Sequence, residues 1–228
     1  MRRKQIRQII NLKWFPTHLK TLIAEFLSWF VLKVNASKPF IPVINDILTR
    51  EKLTRIINIE FNVGAGVETV TPFLGKEIKV QSIYHEKFNT NKNGLYLYVN
   101  CFHQLSYEQA KSSLKKICES GNPIAIVEGN NDSLWQIVGM TIFVPITVLL
   151  SAPFVKPFRV SRLLFTYIIP LLLIVIMIDG CVALLKLYNP SDLAKITSDL
   201  QIKNYEWKTG KEDNGRGGKI IYLIGRKT

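Results

Sequence analysis

The spacing of hydrophobic residues divides the chain into four parts. In residues 1–53 apolar side chains recur every three or four positions, which predicts a cap of amphipathic helices. In residues 54–132 short apolar runs alternate with turns, which predicts the first part of an α/β core. Residues 133–178 are almost continuously apolar and predict a helical hairpin. Residues 179–228 return to a mixed pattern and complete the core.

Five stretches are typical of strands because they are rich in β-branched and aromatic residues, which pack well on a pleated surface. The last two flank a charged, glycine-containing loop at 209–218, so they predict an antiparallel hairpin, whereas the others are expected to run parallel. A weaker alternating run at 79–84 could form another strand. The five predicted strands are 54–61, 95–101, 123–128, 202–208 and 219–226.

Capping residues indicate where helices begin. Thr17 could cap a helix of the N-terminal region, and Ser106 with Gln109 forms the pattern of a capping box. Ser191 and Asp192 could cap a helix that begins near Pro190.

A glycine turn follows the first predicted strand. Glu60 lies near the end of that strand, Gly64 and Gly66 are one residue apart, and Val67–Leu74 could begin a helix. Glycine lets the backbone approach a ligand, and a helix N-terminus offers free N–H groups. This pattern is typical of a nucleotide-like site, although the same glycines often mark an ordinary strand-end turn.

The segment Glu60–Gly66 resembles the acid-x-G-x-G-x-G turn of class I S-adenosylmethionine (SAM) dependent methyltransferases, with Asn62 replacing the first glycine. The stretch Leu95–Glu128 resembles their fourth strand, next helix and fifth strand, and Phe102–Leu105 stands where they have leucine-His-His-leucine. The predicted C-terminal hairpin is similar to theirs, whose seventh strand inserts next to the fifth. Trp14–Pro16 and the apolar, arginine-containing insert resemble one bacterial group of these enzymes.

The resemblance implies a Rossmann-like sheet and SAM as cofactor, in a form shortened between the first and fourth strands. Residues 67–93 are too few for a second strand, a helix and a third strand, and neither Glu77 nor Glu86 clearly supplies the acid that holds the ribose. No catalytic residue and no metal ligand are assigned, because positioning carries much of the rate of methyl transfer. The implied cofactor-binding residues are Glu60, Asn62, Gly64, Ala65, Gly66, Asn100, Phe102 and His103.

The apolar insert predicts contact with a membrane. Each half approaches the roughly 20 residues of a membrane span, but Pro145, Pro153 and Pro170 interrupt it. A hairpin of two spans would place the bases between residues 156 and 162 outside, against the positive-inside tendency. We therefore expect a re-entrant or interfacial hairpin with those bases at the lipid headgroups, followed by a helix that resumes after Asp179–Gly180. Two true spans and a buried core hairpin stay open as alternatives. The three bases are Lys156, Arg159 and Arg162.

The amino-acid composition narrows the classes of binding partner that the protein can have. The net charge of +13 favours an anionic neighbour, either lipid or nucleic acid, while three scattered cysteines without a C-x-x-C indicate no disulfide framework or zinc ribbon. We expect a membrane-associated methyltransferase on the cytoplasmic face, acting on a small or lipophilic acceptor. A non-catalytic, methyltransferase-like protein that binds a membrane or a partner is the alternative. A nucleic-acid methyltransferase ranks last, because the apolar insert is a poor surface for nucleic acid.

Overall fold

A mixed six-stranded sheet forms the centre of the protein. The computed structural model describes residues 6–61, 65–130, 134–215 and 218–228. The strand order is β2-β1-β3-β4-β6-β5, with β6 antiparallel to both of its neighbours and the other pairs parallel. This confirms the predicted α/β class, Rossmann-like, with a C-terminal antiparallel hairpin. The strands are β1 Arg55–Glu60, β2 Lys79–Tyr84, β3 Leu95–Val99, β4 Ile124–Glu128, β5 Tyr205–Asp213 and β6 Lys219–Lys227.

Helices cover both faces of this sheet. Successive side chains of β3 and β4 point to opposite faces and are all buried, as expected for strands covered on both sides. The helices α3 and α7 pack on one face, and α2 packs on the other. The α-helices are α1 Thr17–Lys33, α2 Ile41–Arg50, α3 Tyr107–Glu119, α4 Leu134–Ser151, α5 Val160–Leu163, α6 Leu171–Leu185 and α7 Pro190–Ser198.

The N-terminal helix and the apolar insert share a core of their own. Leu22 and Phe26 of α1 pack with Val148 of α4 and with Leu172 and Val175 of α6. The insert is therefore a helical hairpin that adds to the α/β body rather than filling it. Its second half is broken: α5 continues as a π-helix, Leu164–Ile168, and then bends by 77° into α6. Pro170 lies at that bend.

The predicted helix after the glycine turn is wrong. Residues Val67–Thr69 and Thr71–Phe73 form two short 3-10 helices instead. Pro72 cannot donate a backbone hydrogen bond, and the β-branched residues before it lower helix propensity. This segment therefore lacks a regular α-helical N-terminus directed at a ligand.

Gly180 corrects the predicted end of the insert. The helix α6 runs through Asp179–Gly180 without a break. A Cβ atom at Gly180 would lie 2.5 Å from the Met140 sulfur, so this glycine allows α4 and α6 to approach closely. Its role is helix packing and not helix termination.

Smaller corrections concern caps and strand ends. Pro16 and Asn189 are the N-caps where Thr17 and Ser191–Asp192 were expected, and Asp192 completes a capping box with Asn189. The predicted box of Ser106 and Gln109 is confirmed. In the C-terminal hairpin the strands extend into the predicted loop, because Lys211–Asp213 pair with β6 along an exposed ribbon.

Candidate functional site

The carboxyl ends of β1, β3 and β4 meet at one edge of the sheet, and Asn100 ties them together. Its side-chain Nδ2 donates to the carbonyl of Ala65 at 3.2 Å, and its Oδ1 accepts from the backbone of Gly129 at 2.7 Å. Asn100 has a φ of 52°, a left-handed conformation that asparagine tolerates better than most residues. In open α/β sheets this edge is where ligands bind.

Glu60 is the last residue of β1 at this edge, and it is half-buried. Partial burial raises the pKa of its carboxyl, a hydrogen bond with Ser82 opposes that rise, and the charge of Glu68 adds to it. A bound cation would favour the ionised form of Glu60 and reverse the shift.

Gly66 and Glu68 form a closed turn. The Glu68 carboxylate accepts a hydrogen bond from the backbone N–H of Gly66 at 3.0 Å and one from the Ser28 hydroxyl at 2.7 Å. A Cβ atom at Gly66 would lie 3.1 Å from that carboxylate. The chain's own acid therefore takes a backbone donor that a phosphate would use in a dinucleotide site.

His103 and Glu128 form a buried pair at the same edge. His103 Nδ1 lies 3.1 and 3.2 Å from the two Glu128 oxygens, and the backbone N–H of His103 donates to Glu128 at 3.0 Å. The side chains are 7% and 6% exposed. The family resemblance implied His103 as a site residue, but its pairing with Glu128 gave no signal in the sequence.

An aromatic stack lies beside Glu60 and was missed from the sequence. The rings of Phe61 and His85 are 4.9 Å apart and nearly parallel, and Phe88 continues the stack at 6.2 Å from His85. Burial lowers the pKa of His85, and this lowered pKa favours the neutral imidazole. Phe61 is far in sequence from His85 and Phe88, so the spacing gave no signal of the stack.

The two acids considered for the ribose are placed at opposite edges. Glu77 precedes β2, whereas Glu86 follows the carboxyl end of β2, next to the end of β1. Glu86 is exposed in a short 3-10 helix, His85–Lys87. It is therefore the acid that reaches the same edge as Glu60.

Other predicted site residues differ in what they can offer. Ala65 is buried and its carbonyl is held by Asn100. Phe102 is 1% exposed and packs against Tyr98 and Tyr188, so its ring belongs to the core. Asn62 and Gly64 lie outside the described residues.

This edge also borders the apolar insert. Asn11 donates to the Gln104 side chain at 3.2 Å, and the neighbouring backbone N–H groups of Ile9 and Ile10 donate to Asp179 of α6 at 2.6 and 2.9 Å. The N-terminal 3-10 turn, Ile9–Asn11, thus connects the residue after His103 to the base of the hairpin.

A small depression of about 130 Å³ lies elsewhere, between α2 and the C-terminal hairpin. Its Arg50 pairs with Asp46 at 2.8 Å, and its Arg226 pairs with Glu206 at 2.9 Å. These mutual pairs leave little reason to place the functional site there. Within the described ranges, no three His, Cys, Asp or Glu side chains come together as a metal site.

Comparisons with known proteins give little more. No family model matches the sequence, and no curated protein matches it. Among solved structures, the chain is similar to the crystal structure of a protein from Rhodobacter sphaeroides that is provisionally described as a Zn-dependent alcohol dehydrogenase. The identity is 9%, the match covers 81% of this chain and 89% of the other, and the TM-score is 0.41. A likeness this weak carries no information about activity, and that protein's metal and substrate are not transferred to this chain.

Proposed function

We propose that this protein is a membrane-associated, SAM-dependent methyltransferase that acts on a lipophilic acceptor. The observation that carries the proposal is the acidity of the carboxyl edge. Glu60, Glu68 and Glu86 lie there, in a chain whose net charge is +13. Such an edge attracts a cation, and SAM carries a sulfonium and an ammonium group.

The same acids disfavour a dinucleotide. A pyrophosphate needs free backbone N–H groups at a helix N-terminus, and here the Gly66 N–H is bonded to Glu68. No α-helix begins in the described part of that turn. A cofactor without phosphates fits these donors and charges better.

The order of strands supports the methyltransferase resemblance. The antiparallel β6 lies between β4 and β5, and β4 is the counterpart of the family's fifth strand. This is the insertion that the resemblance implied. The sheet ends at β2 on the other side, which agrees with a form that has lost the third strand.

Exposed apolar side chains support the membrane part of the proposal. The stretch Trp135–Phe154 is long and apolar enough to span a membrane, yet only 11% of it is buried within the protein. Soluble monomers rarely expose a contiguous apolar patch beyond a few hundred Å². A bilayer would cover this surface. The more exposed members of the insert are Trp135, Phe143, Leu150, Phe154, Phe158, Val160 and Ile168.

Contacts of α1 limit how deep the hairpin can reach. Near one end His18 contacts Ser161 of α5 at 2.9 Å, and ten positions later Ser28 contacts Glu68 in the α/β body. Glu25, three residues before Ser28, also holds Arg159 and Arg162 of the hairpin turn. The turn is therefore tied along the side of a helix that contacts the α/β body, which favours insertion into one leaflet over a crossing of the ~30 Å hydrocarbon core.

The position of the site favours a lipophilic acceptor. Gln104 follows His103 and is joined through Asn11 and Ile10 to Asp179 of α6. An acceptor dissolved in the membrane would reach the candidate site beside this junction. The apolar surface and the acidic edge thus serve one reaction at the cytoplasmic face.

Calorimetric titration of SAM into the purified full-length protein tests the cofactor. We expect a dissociation constant in the micromolar range that NAD does not match at equal concentration. Transfer of tritiated methyl from SAM to extracted membrane lipid tests the reaction. Absence of SAM binding at millimolar concentration would refute the proposal.

The non-catalytic alternative has one observation in its favour, the loss of the helix after the glycine turn. This alternative predicts that the protein binds vesicles but does not bind SAM. The calorimetric titration therefore separates the two functions.

A further inference from the structure

We infer that His103 is the general base of the transfer reaction, that Glu128 positions it, and that the acceptor is therefore a hydroxyl group on a lipophilic molecule. This inference rests on the proposed function and deepens it by naming the class of acceptor. It starts from the geometry of the pair and not from the family resemblance, which assigns no base.

The pair has the arrangement of a carboxylate–imidazole base. Glu128 contacts Nδ1 of His103, and the same carboxylate accepts the backbone N–H of His103. These bonds fix the ring and favour a proton on Nδ1. Nε2 then carries the lone pair and acts as the acceptor, as in hydrolytic triads.

Nothing in the described part of the chain occupies Nε2. The hydrogen bonds that His103 forms with described residues all run to Glu128, through the backbone N–H and Nδ1. The ring lies in the 3-10 turn Phe102–Gln104, directly after β3 and at the edge that ligands use.

The reaction balances without any further reagent. The acceptor oxygen forms a bond to the methyl carbon, and the sulfur–methyl bond breaks with its electron pair on sulfur, leaving the neutral thioether. The proton of the hydroxyl passes to Nε2 of His103, and the imidazolium then releases it to water. Glu128 stabilises the transient imidazolium by its charge.

A hydroxyl acceptor explains why a base is present. A neutral amine or a thiolate already offers its lone pair, whereas an alcohol or phenol becomes a good nucleophile only when its proton leaves. Positioned general bases contribute on the order of 10²–10⁴-fold to a rate. The dyad would be unnecessary for an acceptor without such a proton.

The test uses the full-length protein in nanodiscs, tritiated SAM and two matched probes, 4-octylphenol and 4-octylaniline. We expect methylation of the phenol, with His103→Gln lowering kcat on the order of 10²–10⁴-fold while the KM for SAM stays within about threefold. Glu128→Gln should lower kcat less and shift the pH profile. Methylation of the aniline should depend little on either residue.

The control variant is His18→Gln, which changes an exposed histidine on α1 and should leave the rate unchanged. Circular dichroism and SAM affinity establish that each variant is folded. If the protein binds SAM but transfers no tritiated methyl group to 4-octylphenol, the inference is overturned. A methylation rate that His103→Gln leaves unchanged would also overturn it. Absence of SAM binding would instead refute the proposed function on which it rests.

Discussion

At the scale of residues, the protonation of Glu60 should control cofactor affinity. Burial raises the pKa of this carboxyl above its ordinary value of 4.5, and only the ionised form attracts a cation. SAM affinity should therefore fall as the pH is lowered through the raised pKa, starting at a higher pH than for an exposed glutamate. Calorimetry between pH 7.5 and 4.5 measures this, and in the acidic part of that range binding should release protons from Glu60 to the buffer.

Glu60→Gln is the matched variant for this titration. Hydrogen bonds to charged groups contribute about 1.5–3 kcal/mol, so affinity should drop roughly tenfold or more at neutral pH. The fall in SAM affinity at acidic pH should also disappear in this variant. An unchanged pH profile in the variant would assign the titration to another group.

Gly66 gives a second test at this scale. A side chain there would push on the Glu68 carboxylate, which lies 3.1 Å from the place of a Cβ atom. Gly66→Val should abolish SAM binding, because the added methyl groups fill the approach to the turn, while the melting temperature changes little. Gly139→Val is the control, since Gly139 lies on α4 with its nearest neighbour 3.9 Å away. Retained affinity in Gly66→Val would exclude this turn from the site.

Residue patterns predicted part of the candidate site. Glu60 was visible because it ends an apolar run before a turn, and strand ends collect at one edge of a parallel sheet, whereas His103 was implied only by the family resemblance. The pairing of His103 with Glu128 was not visible, because it depends on the register between β3 and β4. The aromatic stack of Phe61, His85 and Phe88 depends in the same way on how β1 and β2 align.

At the scale of elements, an ion cluster connects α1 to the insert. Glu25 accepts bonds from Arg159 at 2.7 Å and from Arg162 at 2.5 Å, and Arg162 also donates to the carbonyls of Val155 and Pro157. Arg162 is 1% exposed, so the expectation that it rests on lipid headgroups is wrong. Its charge is needed inside the protein, where it holds the loop before α5.

Removing the acid of this cluster should loosen the insert. Glu25→Gln leaves Arg162 buried without its counter-charge, and breaking a buried pair costs about 3–5 kcal/mol. Thermal unfolding in nanodiscs should show a clearly lower midpoint. Glu119→Gln is the control, because Glu119 forms an exposed pair with Lys115 at 3.7 Å and such pairs contribute about 0–1 kcal/mol. Equal midpoints for the two variants would show that the cluster is not a structural link.

Element types were easier to predict than their ends. Strong apolar runs identified β1, β3 and β4, whereas the helix through Gly180 was cut short in the prediction because glycine usually weakens helices. Contact with Met140 compensates for that weakness, and such a contact is tertiary information. The helix prediction for the segment after Gly66 failed for the opposite reason. The apolar spacing there suits a helix, but Pro72 and its β-branched neighbours prevent one.

At the scale of the whole molecule, the arrangement of α1 against the hairpin predicts a protein embedded in one leaflet. Exposed Trp14 and Trp135 are amphipathic side chains suited to the membrane interface, and exposed Lys156 lies near the tip. Each base near an anionic surface contributes on the order of 1 kcal/mol. Lys156→Glu should therefore weaken binding to phosphatidylserine vesicles severalfold, while Lys111→Glu on α3 serves as the control for net charge.

The depth of the hairpin can be measured directly. A bimane probe on Phe158→Cys, which replaces a side chain that is 61% exposed at the tip, should be quenched by lipids with nitroxides along the acyl chain. Because the exposed base Lys156 lies two residues away and favours the anionic headgroups, quenching should be strongest for nitroxides near the headgroup end of the acyl chains in the near leaflet. External protease should not cut a tip that stays inside the bilayer. Cleavage from outside, together with resistance to alkaline carbonate, would instead demonstrate two spans. Recovery of the whole protein without detergent in the soluble fraction would exclude both membrane arrangements.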